Sequence, residues 1–223
     1  GSEMCIRDST LEYCIMVNVK QHKVFPTIIN EIQFDMDEQE YNLVIDELND
    51  MEKFEENNLI IQTTDDLSRH IPKFTKSIYK TTESICEKYE YLYDRLEFTG
   101  MWANKLKAGD IHPPHTHSNN IFSGVYYLEG GSQIQFFDPR PQASVLHPNL
   151  KYTNFDNSGM IGFDAEKGTG LIFPSWLQHW VTKTNKTRIS ISWNILLRGD
   201  YGQAGTLQNC LLYTSPSPRD RSS

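Results

Sequence analysis

His115 and His117 stand one residue apart in the stretch "IHPPHTHSNN", residues 111 to 120, which holds three of the chain's seven histidines. On a strand, residues i and i+2 point to the same face, so these two would present their imidazoles side by side. Two nitrogen ligands held that way are half of a metal site, and imidazole suits iron, zinc, copper and nickel. Pro113 and Pro114 stiffen the approach and remove two backbone donors. The plainer alternative is a surface loop that happens to be rich in histidine. A third ligand has to come from elsewhere. His22, His70 and His147 sit in polar or loop-like surroundings, whereas His179 lies in "FPSWLQHWV" among Trp176, Leu177, Trp180 and Val181. A histidine in such a run is either a ligand or a core residue with its hydrogen bonds satisfied. Shortly after it comes "RISIS". As a strand, this turns Arg188, Ser190, Ser192 and Asn194 to one face and Ile189, Ile191 and Trp193 to the other. A guanidinium beside a hydroxyl is shaped to hold a carboxylate through paired hydrogen bonds. Otherwise Arg188 belongs to an exposed edge strand and sits in water.

These side chains need a frame. Over residues 37–53, Tyr41, Val44, Ile45 and Leu48 recur at helical spacing, with Asp37 and Glu38 where a helix start favours acid. Over residues 66–92, Leu67, Ile71, Phe74, Ile78, Ile85 and Tyr89 repeat every three to four positions, and Pro72 marks a start or a kink. Residues 14–20 read as a short opening strand. From about residue 98 the period drops to two. "FTGMWANKLKAG" places Trp102, Asn104 and Leu106 on one face, and "NIFSGVYYLEGG" and "SQIQFFDP" follow, with Gly130-Gly131 predicting a hairpin between them. Later come "GTGLIFPSWLQHWV" and "RISISWNILL". Helices first and short strands afterwards imply a mainly β domain with flanking helices: a sandwich, barrel or jelly roll.

The chain has 223 residues, enough for one large domain, and 38% hydrophobic with 12% aromatic content suits a packed core. A net charge of −8 argues against a nucleic-acid or anionic-membrane partner. The acidic run "FDMDEQEYNLVIDELNDMEKFEEN" reads as a solvated helix face. No apolar stretch is long enough to span a membrane, and no signal peptide is visible. The four cysteines form no CxxC pair, so a reducing cytoplasm is the expected location. "SEMCIRDS" and "LLYTSPSPRD" resemble translated sequencing-adapter read-through. Residues 1–10 and 210–223 are therefore expected to be non-native tails around a single domain, 11–209, with helical support over 35–97 and a β core over 98–197.

The order His-x-His, then His179, then Arg188-x-Ser190 resembles the iron(II)- and 2-oxoglutarate-dependent oxygenases. Within that superfamily, "HPPHTHSNNIFSGVYYLEGG", "FFDPR", "GLIFPSWLQHWV" and "RISISWNI" resemble a group of 2-oxoglutarate–iron oxygenases frequent in marine bacteria and their phages. The resemblance covers residues 98 to 197. It implies a double-stranded β-helix, or jelly roll, with Fe(II) held by His115, His117 and His179. It also implies that 2-oxoglutarate is clamped by Arg188 with Ser190 beside it. Tyr126 matches a strand tyrosine that often contacts the same carboxylate, and Asn104 lies where a further co-substrate contact is common. The implied reaction couples 2-oxoglutarate decarboxylation to oxidation of a small-molecule or peptide substrate. The aromatic residues Trp102, Tyr126, Trp176 and Trp193 are candidates for a wall that excludes water.

One position departs from the superfamily pattern. Its usual motif is His-x-Asp or His-x-Glu, completing a two-histidine, one-carboxylate triad. Here position 117 is histidine. Three arrangements remain: a three-histidine site, a shifted pair of His117 and Asn119, or a carboxylate from another strand, with Asp138 and Asp110 the candidates. Two other functional classes also stay open. One is a non-catalytic, cupin-like metal binder, and the other is a three-histidine zinc hydrolase. Arg188-x-Ser190 favours the oxygenase, because neither alternative needs a carboxylate clamp.

Overall fold

The computed structural model describes residues 3–8, 11–16, 19–54, 58 and 60–202. Glu3–Asp8 (β1) and Leu11–Met16 (β2) pair antiparallel in a two-stranded sheet of their own. Residues 3–8 therefore do form a strand, although their sequence carries no strand pattern, and the opening strand lies earlier than the expected 14–20. The C-terminal stretch 210–223 falls outside the described residues.

Two helices follow a short strand, Asn30–Gln33 (β3). Glu38–Phe54 (α1) buries Val44 and Leu48, spaced one turn apart. Asp37 sits at its start, and its side chain accepts from the Glu40 amide at 3.3 Å. Ile60–Gln62 (β4) leads to a 3-10 turn, Leu67–Arg69, and then to Pro72–Lys88 (α2), which buries Phe74, Ile78, Thr82, Ile85 and Cys86. The periodic stretch 66–92 is thus two elements, with Pro72 starting the second. Pro72 has no amide hydrogen to lose, so it suits a first helical position. The residue before α2, Ile71, provides no side-chain cap. Glu40 of α1 does so instead, accepting from the amides of Lys73 at 2.7 Å and Phe74 at 2.9 Å. Part of the acidic run is therefore buried and structural rather than solvated.

The remaining strands are Arg95–Leu106 (β5), His112–His115 (β6), Phe122–Glu129 (β7), Gly131–Phe137 (β8), Met160–Ala165 (β9), Thr169–Pro174 (β10), His179–Val181 (β11) and Arg188–Arg198 (β12). They form a six-stranded sheet in the order β3-β10-β7-β12-β5-β4 and a four-stranded sheet in the order β6-β11-β8-β9, and all pairs in both are antiparallel. The helical half of the sequence thus also supplies both edge strands of the larger sheet. From β6 onward the chain passes repeatedly from one sheet to the other, which is the winding of a jelly roll.

Strand alternation builds two cores. Tyr126, Leu128, Ile172, Ile189, Ile191, Trp193 and Ile195 face the helices and pack with Val44, Leu48, Phe74 and Ile78. Val125, Tyr127, Ile134, Phe136, Leu171 and Phe173 pack between the sheets. Gly130-Gly131 does not close a hairpin, because β7 and β8 belong to different sheets. The pair instead turns the corner between them where space is short. A Cβ on Gly130 would lie 2.4 Å from the Ala165 carbonyl oxygen, and one on Gly131 would lie 2.7 Å from the Arg188 Cβ. No helix among the described residues is long and apolar enough to cross a membrane.

Candidate metal and anion site

Three histidines converge at the mouth between the sheets. His115 ends β6 and stands directly opposite His179, the first residue of β11. His117 lies just beyond the strand end, where its amide donates to the Ser175 carbonyl at 2.9 Å and the Ser175 amide donates to the Ile121 carbonyl at 3.0 Å. A buried chain of side chains supports this crossing. Ser123 donates to Asn194 Oδ1 at 2.7 Å, so its hydroxyl accepts from Ser175, 2.8 Å away. The ring centroids of His115, His117 and His179 are 4.4–5.2 Å apart, and their candidate ligand atoms all lie within 4.8 Å of one another.

The rings are prepared for ligation. His115 Nδ1 is 2.8 Å from the Pro113 carbonyl and His179 Nδ1 is 2.9 Å from that of Leu177. A carbonyl only accepts, so each Nδ1 carries the hydrogen and each Nε2 keeps its lone pair. This is the outer-shell arrangement that orients metal-binding imidazoles. Burial, and then the neighbouring histidines, lower His117 to a pKa of about 4. Burial also lowers His179, to about 3, despite the opposing bond to Leu177. Both rings stay neutral at pH 7, as ligands must.

The same small cavity is lined by Asn104, Arg188, Ser190 and Ser192, and elsewhere by apolar side chains, among them Leu106, Val125, Ile134, Phe173 and Val181. Arg188 is 2% exposed. Its Nη1 donates to Ser190 Oγ at 3.2 Å and its guanidinium lies 5.0 Å over the Tyr127 ring. Among the described residues no carboxylate pairs with it, and its Nε has no hydrogen-bond partner. Burial pulls its pKa down, opposed by Tyr127. An arginine nonetheless remains charged in a protein, and a lone buried charge is costly. This cavity therefore offers nitrogen ligands at one place and an uncompensated cation at another.

Residues 100–194, the stretch that carries the site, match the family described as "Putative 2OG-Fe(II) oxygenase". This stretch resembles a 2OG-Fe(II) oxygenase core. The cofactors that go with the family are Fe(II) and 2-oxoglutarate, the latter as co-substrate. Solved structures share the fold. A prolyl-4-hydroxylase from Pseudomonas putida is 14% identical with a TM-score of 0.53, over 78% of this chain and 94% of its own. HygX from Streptomyces hygroscopicus, with nickel and 2-oxoglutarate bound, is 11% identical with a TM-score of 0.51, over 78% of this chain and 84% of its own. No curated protein matches the chain.

The fold brings most of the candidate residues together. His115, His117, His179, Arg188, Ser190 and Asn104 all line one cavity. Asn104 donates to Ser192 Oγ at 3.3 Å, while its Oδ1 is buried with no partner. Tyr126 does not join them. Its hydroxyl donates to the Phe34 carbonyl at 2.7 Å and its ring stacks on Phe34, on the helix side of the sheet. Neighbouring strand positions face opposite ways, so it is Tyr127 that lies against Arg188. Of the four aromatic residues proposed as a wall, only Trp102 lines the cavity. Trp193 packs in the helix-side core, and Trp176 is 57% exposed. No carboxylate joins the histidine cluster among the described residues. Asp138 is engaged by Arg140, and Asn119 occupies a left-handed turn at φ 61°. His112, given no role by the sequence reading, also lines the cavity, and burial lowers it to a pKa of about 4.

Proposed function

We propose that the protein is an iron(II)- and 2-oxoglutarate-dependent oxygenase, a hydroxylase in its simplest form. His115, His117 and His179 hold the metal, and Arg188 and Ser190 hold the far carboxylate of 2-oxoglutarate. The observation that carries this reading is Arg188: a buried guanidinium with no carboxylate partner among the described residues, in the same cavity as three clustered imidazoles. A plain metal binder or a zinc hydrolase has no use for that charge. A dicarboxylate that chelates the metal at one end needs it at the other.

When bound, iron and 2-oxoglutarate supply the oxidising chemistry. The chain's own part is positional. His115 and His179 would offer Nε2 and His117 a ring nitrogen to the metal. Arg188 and Ser190 set the length and orientation at which a five-carbon dicarboxylate fits. Leu106, Val125, Ile134, Phe173 and Val181 keep water from the reacting centre. The test is turnover without added substrate: iron(II), oxygen and 2-oxoglutarate should yield succinate, and Arg188→Ala should abolish that yield at low 2-oxoglutarate. Metal binding without any succinate, alongside hydrolytic activity with zinc, would overturn the proposal.

A further inference from the structure

Four imidazoles face the cavity. The fourth, His112, opens β6, and period-two alternation would turn it away, since it lies an odd number of residues from His115. The pairing with β11 explains why it does not. His179 stands opposite His115 and Val181 opposite His112, so two steps along β11 are matched by three along β6. The extra residue is a bulge, and it falls at Pro113-Pro114. Bulges re-aim side chains beside active sites. Proline tolerates the position because it has no amide hydrogen to pair, and both prolines face solvent. As a result His112 and His115 line the same cavity, with ring centroids 4.4 Å apart, edge to face.

His112 does not belong to the cluster of converging ligand atoms, which is His115, His117 and His179. Its ring is electrostatically coupled to His115, to Arg188 and to Asp110. It lines the cavity that the candidate metal ligands share with the buried guanidinium, beside His115. A neutral imidazole always keeps one N–H to donate. We propose that His112 is a direct contact of the dicarboxylate co-substrate, donating a hydrogen bond to a carboxylate oxygen in the cavity that the three-histidine centre shares with Arg188. This rests on the oxygenase reading above and adds to it a binding residue supplied by the bulge.

The experiment measures two affinities in the full chain under anaerobic conditions: that for Mn(II), and that of the Mn(II)-loaded protein for 2-oxoglutarate by calorimetry. His112→Leu removes the donor and keeps an apolar body. It should weaken 2-oxoglutarate about 10- to 100-fold, the range for one hydrogen bond to a charged acceptor, and leave Mn(II) affinity unchanged. His112→Gln, which carries an N–H, should recover part of the loss. Unchanged 2-oxoglutarate affinity in His112→Leu overturns the inference. So does a parallel loss of Mn(II) that His112→Gln does not rescue, which marks a structural or ligating role. If binding in the parent depends on Arg188 but not on His112, this inference alone falls. If the parent binds no 2-oxoglutarate, the oxygenase reading falls and takes this one with it.

Discussion

Replacing Arg188 with methionine separates what this residue does for function from what it costs the fold. The side chain keeps much of its length and loses its charge. In the metal-free protein the guanidinium is 2% exposed and has no carboxylate partner among the described residues. An uncompensated buried charge costs about 3–5 kcal/mol. Methionine forfeits the contact with the Tyr127 ring, about 1–2 kcal/mol when desolvated. It also forfeits the bond to Ser190, about 1 kcal/mol. The balance is a gain of about 0–3 kcal/mol for Arg188→Met. For a chain of this size that raises Tm by up to about 12 °C. Addition of 2-oxoglutarate at a hundred times its Kd, with metal present, should stabilise the parent by about 2.7 kcal/mol. It should leave the variant unmoved. Urea denaturation of both proteins, with and without 2-oxoglutarate, measures all four quantities. A metal-free variant less stable than the parent would mean that the charge has a structural partner. A variant stabilised by 2-oxoglutarate as strongly as the parent would refute the clamp.

His179→Ala should abolish stoichiometric iron(II) binding while the far-ultraviolet circular dichroism stays that of the parent, and retained binding would show that the ligands are wrongly assigned. Glu40→Ala leaves the Lys73 and Phe74 amides without their cap and should cost about 2 kcal/mol in urea denaturation; a cost near zero would mean that water replaces it. In the metal-free protein, burial first and then the other histidines depress His179 to about 3, below its value in the unfolded chain. The unfolded state therefore binds more protons over this range, and stability should fall as pH drops from about 6.5 toward 3. His179→Gln should flatten that slope between pH 6.5 and 5, and a slope equal to the parent's would place the sensitivity elsewhere.

Much of the site was legible because it is carried by strands read in period two. "RISISW" alternates without interruption, so one side of β12 lines the cavity and the other packs on the helices, as its residue types imply. His115 and His179 lie on paired strands, and only the pairing, which is non-local, shows that they meet. Where the period breaks, sequence alone misleads. The bulge at Pro113-Pro114 reverses the expected facing of His112. In "VYY" the choice between Tyr126 and Tyr127 depends on which face of β7 the helices cover, and that is decided by tertiary packing rather than by propensity. The Gly130-Gly131 corner looks like a hairpin because glycine marks tight turns of every kind. Glu40 was hidden in an acidic run, with nothing local to tell a buried cap from a solvated charge.

The alternation of β12 also bears on how such a protein diversifies. Arg188, Ser190 and Ser192 line the cavity, while Ile189, Ile191 and Trp193 pack on the helices. Gain or loss of a single residue within the strand would exchange the two sets and ruin the site and the core together. Its descendants can change by substitution but not by insertion or deletion. The connection between β8 and β9 is under no such constraint. It exposes Val145, Leu146, Tyr152 and Phe155 and lies outside the strand ladders. Length changes there leave the alternation of β12 intact. Lineages of this protein should therefore hold β12 at fixed length and record their divergence in residues 138–159.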